Sequence, residues 1–230
     1  MIIKVCGLRE PENISAVASL DIDLMGFVFW EGSARCVKSI PVHSGLIPDK
    51  ADKGIKDSLK NRQIGRVGVF VDEMPQVIMT HAYNYSLDYI QLHGNESAVY
   101  MENLKRTLVP DILPVVKMIK ALSIREADDV KRWQEYEGIA DMLLFDNKCT
   151  AHGGSGEKFD WSVLDSYDGN IPFLLSGGIG VDDADDILAI RHPQFAGIDL
   201  NSRFESKPAV KDIEKLKSFI KKIRNNEQDK

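Results

Sequence analysis

Cysteine is scarce in this chain, three in 230 residues, and Cys6, Cys36 and Cys149 stand far apart with no CxxC pair. That spacing argues against a disulfide framework and a thiolate zinc site, and it fits free thiols in a reducing compartment. The five histidines (His43, His81, His93, His152 and His192) form neither HxH nor HExxH, so no metal site is expected. Positive charge is not in excess. Lys and Arg number 29 against 35 Asp and Glu, a formal net charge of −6, which argues against the basic stripe of a nucleic-acid binder. A small anionic ligand stays open, because charge is screened beyond ~8 Å and local dipoles with one or two cations decide its binding. No apolar run is long enough to span a bilayer, and no basic stretch followed by an apolar one opens the chain. A cytoplasmic protein with neither membrane nor nucleic-acid partner is expected.

What the chain does have is a regular alternation. Short β-branched or aromatic runs fall near 2–6, 24–29, 66–71, 88–92, 113–118, 141–146, 172–176 and 195–200. Segments patterned for helix lie between them at 11–19, 75–86, 96–106, 123–136, 181–190 and 210–224, with a weaker patch near 51–61. Ser123-Ile124-Arg125-Glu126 has the capping-box pattern, and Ile213, Leu216, Ile220 and Ile223 make one apolar stripe. Eight such alternations in a chain of this length predict an α/β fold, a single-domain (β/α)8 TIM barrel over 1–224, with 225–230 a polar frayed tail. A doubly wound sheet is the runner-up, but its GxGxxG fingerprint is missing after the first strand.

Chemistry-bearing residues sit where such a barrel keeps its active site, at the carboxyl ends of the strands. The first run ends in Cys6-Gly7, and the sixth, Met142 to Phe145, ends in Asp146. Strand parity puts Lys4 on the face of Cys6, Asp146 with Leu144 and Met142, and Asp199 with Asn201, while Gln91 interrupts an apolar strand. Cys6 reads either as a small buried apolar group or as a proton-transfer thiol beside a cation. Asp146 reads either as a loop cap or as a partly desolvated acid. Ser176-Gly177-Gly178 after the seventh run and Asn201-Ser202-Arg203 after the eighth occupy the usual phosphate positions of these barrels. Arg35 is a solvated cation or a fork for a carboxylate. Gly153-Gly154-Ser155-Gly156, within 147–160, is a mobile loop by composition. His93 reads as a strand-end polar residue.

Taken in order, these motifs resemble the phosphoribosylanthranilate isomerase family of tryptophan biosynthesis. The likeness runs through Lys4-Val5-Cys6-Gly7, Gly26-Phe27-Val28-Phe29 with Ser33-Ala34-Arg35, and Val67-Gly68-Val69-Phe70-Val71. It continues through Gln91-Leu92-His93-Gly94, Asp146 with Gly153-Gly154-Ser155-Gly156, Ser176-Gly177-Gly178, and Gly197-Ile198-Asp199 with Asn201-Ser202 and Glu205. The resemblance implies a cofactor-free Amadori rearrangement of a small phosphorylated substrate, with Cys6 as general base and Asp146 as general acid. It further implies Arg35 on the anthranilate carboxylate, Gly177, Gly178, Ser202 and Arg203 on the phosphate, and Gly154 and Asp199 in the substrate site, in a monomer or homodimer. Ala34, Asn201 and Arg203 depart from the family's usual proline, serine and glycine, and Arg203 either adds a phosphate cation or crowds the cradle. Two alternatives remain beside it. One is the histidine-pathway aminoaldose isomerase, which resembles fused half-barrels with an aspartate base; the other is a non-catalytic phosphate-binding barrel.

Overall fold

Eight strands pair in chain order, all parallel, and close on themselves. In the computed structural model, which describes residues 1–37, 64–109, 112–147 and 160–228, they are β1 (Ile2–Val5), β2 (Leu24–Val28), β3 (Gly65–Phe70), β4 (Tyr89–Leu92), β5 (Lys117–Ile124), β6 (Met142–Asn147), β7 (Phe173–Leu175) and β8 (Phe195–Leu200). Closure is made by β8 against β1, in register from Ile2↔Gly197 to Val5↔Leu200. Around the barrel lie α1 (Pro11–Ala18), α2 (Pro75–Asn84), α3 (Ala98–Leu108), α4 (Ala127–Val130), α5 (Ala184–Ala189) and α6 (Ile213–Gln228). A hairpin of β9 (Glu205–Lys207) and β10 (Val210–Lys211) follows β8. This is the (β/α)8 barrel that the alternation predicts.

Local chemistry starts the helices where it should. Pro11 and Pro75 open α1 and α2, where the missing N–H costs nothing. Ser97 caps α3 by accepting from the Tyr100 amide at 3.2 Å. Leu216, Phe219, Ile220 and Ile223 of α6 are buried at helical spacing. Strand parity then sorts the core into two clusters. Ile3, Val5, Leu143, Phe145, Phe173 and Leu175 pack outward under the helices. Cys6, Leu24, Val28, Val67, Val69, Ile119, Ala121, Met142, Leu144 and Leu174 fill the barrel interior.

The fifth strand is a correction: it runs from Lys117 to Ile124 rather than 113–118. After α3 the chain turns, Leu113 N–H donating to Leu108 O and Val116 N–H to Leu113 O, and pairing begins at Lys117, whose N–H reaches Asp88 O. The strand accepts a lysine in its middle because Lys120 Nζ donates to Glu96 at 2.8 Å and to Gly94 O at 2.7 Å. Ser123 is therefore strand, not a cap, and the expected helix 123–136 shrinks to α4 and a 3-10 turn, Lys131–Tyr136. Asp129 instead accepts from the Arg125 and Glu126 amides at the start of α4. The helix expected at 181–190 divides into a 3-10 turn, Val181–Asp183, and α5. At the other end α6 continues through Asn225 to Gln228, so the polar stretch begins as helix. Gly154 and the other residues from 148 to 159, among them Cys149 and His152, together with His43 and the patch at 51–61, lie outside the described residues.

Candidate active site

β1 alternates faces, so Ile3 and Val5 go to the outer core while Lys4 and Cys6 enter the barrel. Lys4 is fully buried and donates to Asp199 Oδ2 at 2.8 Å and to Gln91 Oε1 at 2.9 Å, and its cation lies within electrostatic reach of the Cys6 thiol. Room for the thiol comes from β2, where a Cβ on Gly26 would stand 2.6 Å from Cys6 Sγ. The strand then leaves through Gly7, whose φ of +75° and whose proximity to Arg35 and Asn201 admit no side chain. Burial pushes the Cys6 thiol above its ordinary range, although the Lys4 and Lys211 cations pull it down. Burial likewise pushes the Asp199 carboxyl up against the attraction of Lys4. Burial works to lower Lys4 too, but Asp199 and Cys6 outweigh it and hold the ammonium above its ordinary value.

Asp146 is the penultimate residue of β6, at the mouth, with 26% of its side chain exposed. Its Oδ1 accepts the Asn147 amide at 3.0 Å, and its Oδ2 lies 3.1 Å from His93 Nε2. His93 Nδ1 lies 2.7 Å from Gln91 Nε2. One row of contacts therefore crosses the barrel from Lys4 through Gln91 and His93 to Asp146, and it starts at the cation that acts electrostatically on the Cys6 thiol. Sequence reading places Cys6, Asp146 and Asp199 correctly on inward faces, and it notes Gln91 and His93 as polar without giving them a task.

The loops after β7 and β8 meet beside the acid. Gly177 and Gly178 both have positive φ, +87° and +70°, and a Cβ on Gly177 would strike Asn147 N at 2.6 Å and Asp146 Oδ1 at 2.9 Å. From the β8 side, Ser202 and Arg203 form a 3-10 turn, and the Arg203 Cδ lies 3.2 Å from where a Gly180 Cβ would be. The Gly180 amide itself is taken by Asp183 Oδ2 at 2.6 Å. Of the residues the sequence expects at the phosphate, Gly177, Gly178, Ser202 and Arg203, the structure lays the Arg203 stem alongside Gly180, in the loop that carries Gly177 and Gly178.

Arg35 is already engaged. Its Nε and Nη2 fork onto Glu205 at 2.9 and 2.7 Å, which leaves Nη1 for another anion. Glu205 also takes Lys211 Nζ at 2.7 Å, and Lys211 reaches Asn201 Oδ1 at 2.7 Å. Burial works to raise the Glu205 carboxyl, yet Arg35 and Lys211 hold it below its ordinary value, while burial pushes Lys211 down. Lys211 is a functional neighbour that sequence reading misses, because it lies in a two-residue strand outside the barrel and has no motif of its own. Among the described residues no group of three or more His, Cys, Asp and Glu could hold a metal ion, and no helix is long and apolar enough to cross a membrane.

Comparison with known proteins adds the family. The family model for N-(5'phosphoribosyl)anthranilate (PRA) isomerase matches residues 3–222. The chain is 45% identical to the N-(5'-phosphoribosyl)anthranilate isomerase of Parabacteroides distasonis over 97% of its own length and 93% of the relative's. It is 40% identical to that of Phocaeicola vulgatus, covering 99% and 100%. Among solved structures, the phosphoribosyl anthranilate isomerase from Thermus thermophilus superposes with a TM-score of 0.77 at 27% identity, covering 98% of this chain and all of that one.

Proposed function

The chain belongs to the N-(5'-phosphoribosyl)anthranilate isomerase family and catalyses that isomerisation in tryptophan biosynthesis; we propose that Cys6 is its general base and Asp146 its general acid. The observation that carries this assignment is the placement of a thiol and a carboxylate at the carboxyl ends of β1 and β6, facing one interior. Asp146 gives its proton to the ribose ring oxygen as the bond to C1 breaks, and the open chain is held as a Schiff base. Cys6, as thiolate, removes the C2 proton, and the electron pair left behind forms the enolamine. Protonation at C1 with loss of the C2 hydroxyl proton then yields the ketone, so the reaction is an isomerisation with no net oxidation.

Positioning falls to the surrounding groups. Arg35 presents Nη1 to the anthranilate carboxylate while Glu205 fixes the rest of its fork. Amides of Gly177, Gly178 and Ser202 receive the phosphate, and Arg203 beside Gly180 adds a cation that the loop itself lacks. Asp199 Oδ1, buried without a hydrogen-bond partner among the described residues, accepts from a substrate hydroxyl. The test uses the loss of anthranilate fluorescence when the enzyme meets substrate generated in situ. Cys6→Ala and Asp146→Asn should each lower kcat by about 100-fold or more, the scale of general acid–base catalysis, with product-analogue binding kept. Near-normal turnover in either variant overturns that residue's role.

A further inference from the structure

Resting on Asp146 as the general acid, we propose that Gln91 is a positioning residue. Its side chain fixes His93 as the Nε2–H tautomer, and that tautomer puts the transferable proton of Asp146 on Oδ1.

The argument is one of donors and acceptors. Lysine has only donors, so the Gln91 atom 2.9 Å from Lys4 Nζ must be the carbonyl oxygen. This settles the amide orientation, which heavy-atom positions alone leave ambiguous. The other end of the amide, the NH2, then points at His93 Nδ1 from 2.7 Å and can only donate. His93 Nδ1 is therefore the acceptor nitrogen, without a proton, and the ring proton stands on Nε2. Nε2–H donates to Asp146 Oδ2, 3.1 Å away. A carbonyl oxygen accepts more strongly than a hydroxyl oxygen, so the imidazole N–H favours Oδ2 as the C=O of the neutral acid and leaves the acidic hydrogen to Oδ1. Oδ1 keeps a lone pair for the Asn147 amide at 3.0 Å, and it is the oxygen that faces Gly177 in the loop after β7. The acid is thus turned toward the substrate side by a chain that begins at Lys4, the same cation that acts electrostatically on Cys6. Lys4 and Gln91 are fully buried, so no bulk water competes for the contact between them, which sets the amide orientation.

The experiment is ring nitrogen NMR on the full chain labelled with 15N-histidine, with the His93 signals assigned by their loss in His93→Asn. Expected in the wild type is an unprotonated Nδ1 and a protonated Nε2. A protonated Nδ1 in the wild type overturns the proposal by itself, without recourse to a variant. Gln91→Glu replaces the donor with a second acceptor at nearly unchanged shape, so Nδ1 should become protonated. With it, kcat should fall by roughly 10- to 100-fold while KM moves by less than about threefold, as befits a group acting on the acid and not on binding. A shifted tautomer with unchanged kcat breaks the link to Asp146. If Asp146→Asn were fully active while the tautomer stood as stated, the acid assignment would fail and not the hydrogen-bond chain.

Discussion

Burial raises the Cys6 thiol even though the Lys4 and Lys211 cations pull the other way, so thiolate is the minor form at neutral pH. A base in that position works on a rising limb: kcat/KM should climb with pH from neutrality to beyond the ordinary thiol range. Alkylation by iodoacetamide, followed at Cys6 by mass spectrometry, should trace the same curve. A rate that is flat or falling over this range contradicts a thiolate base. The same shift has a stability consequence. The unfolded chain releases this proton near pH 9.0, as an ordinary thiol does, and the folded chain holds it longer. Above that pH the folded state binds more protons, and stability falls as pH rises. Cys6→Ala should make the decline shallower in urea unfolding measured from pH 8 to 10.

Beside it, Lys4 and Asp199 form a buried pair with side chains 0% and 5% exposed. Lys4→Met leaves the carboxylate without its cation and should cost about 3–5 kcal/mol, whereas Lys4→Met with Asp199→Leu should recover most of that, because an apolar pair of similar volume needs no desolvation. Equal losses in the single and double variants, read from urea midpoints, would show that packing and not charge pairing is at stake.

Among the elements, β1 and β2 must approach closely for the thiol to fit, and Gly26 is the residue that allows it. A methyl there would lie 2.6 Å from Cys6 Sγ and 3.0 Å from its Cα, in strands locked by the Lys4↔Leu24 and Val5↔Met25 register. Gly26→Ala should therefore displace Cys6, lowering kcat together with stability, the latter by about 1–3 kcal/mol. Gly138→Ala is the control. Its φ of +75° strains any side chain, but nothing stands within 4 Å of the added carbon, so it should cost about 1 kcal/mol or more and leave kcat alone. A Gly26→Ala enzyme with full kcat would mean that β2 yields more than a close-packed barrel should.

Strands such as β1, β6 and β8 are legible in the sequence because apolar runs stop abruptly on Cys6, Asp146 and Asn201. β5 is not, since Lys117, Lys120 and Ser123 interrupt it and Lys120 burial is made tolerable by Glu96 and Gly94 O, both more than twenty residues away. The same reason hides the task of Gln91, whose partner Lys4 is 87 residues away, and Lys211 is hidden because its partners Glu205 and Asn201 lie across a turn and a hairpin that periodicity does not show. His93 is visible as a polar strand end, but its role depends on which ring nitrogen meets which neighbour.

At the scale of the molecule, the two ends of the barrel have different work, and Arg224 tests how separate they are. From α6 it donates to Met1 O at 2.6 Å and to Asp21 O at 3.1 Å, and its Nη2 pairs with Asp23 Oδ2. Asp23 Oδ2 in turn accepts the Ile3 amide at 2.8 Å, at the amino end of β1 where the barrel closes. The last helix is thereby tied to the first strand on the face opposite Cys6 and Asp146, the face where a barrel of this kind keeps its stability rather than its chemistry. Charge-assisted hydrogen bonds contribute about 1.5–3 kcal/mol each at most, and here several share one guanidinium that is 14% exposed. Arg224→Met, which keeps the stem's apolar contacts, should lower unfolding free energy by about 2–3 kcal/mol with the urea m value unchanged. Its kcat and KM at 25 °C should equal those of the wild type. A fall in kcat would show that closure at the amino end is felt at the mouth through β1, where Lys4 lies one residue beyond Ile3. An unchanged midpoint would show that β8–β1 pairing closes the barrel without the helix latch.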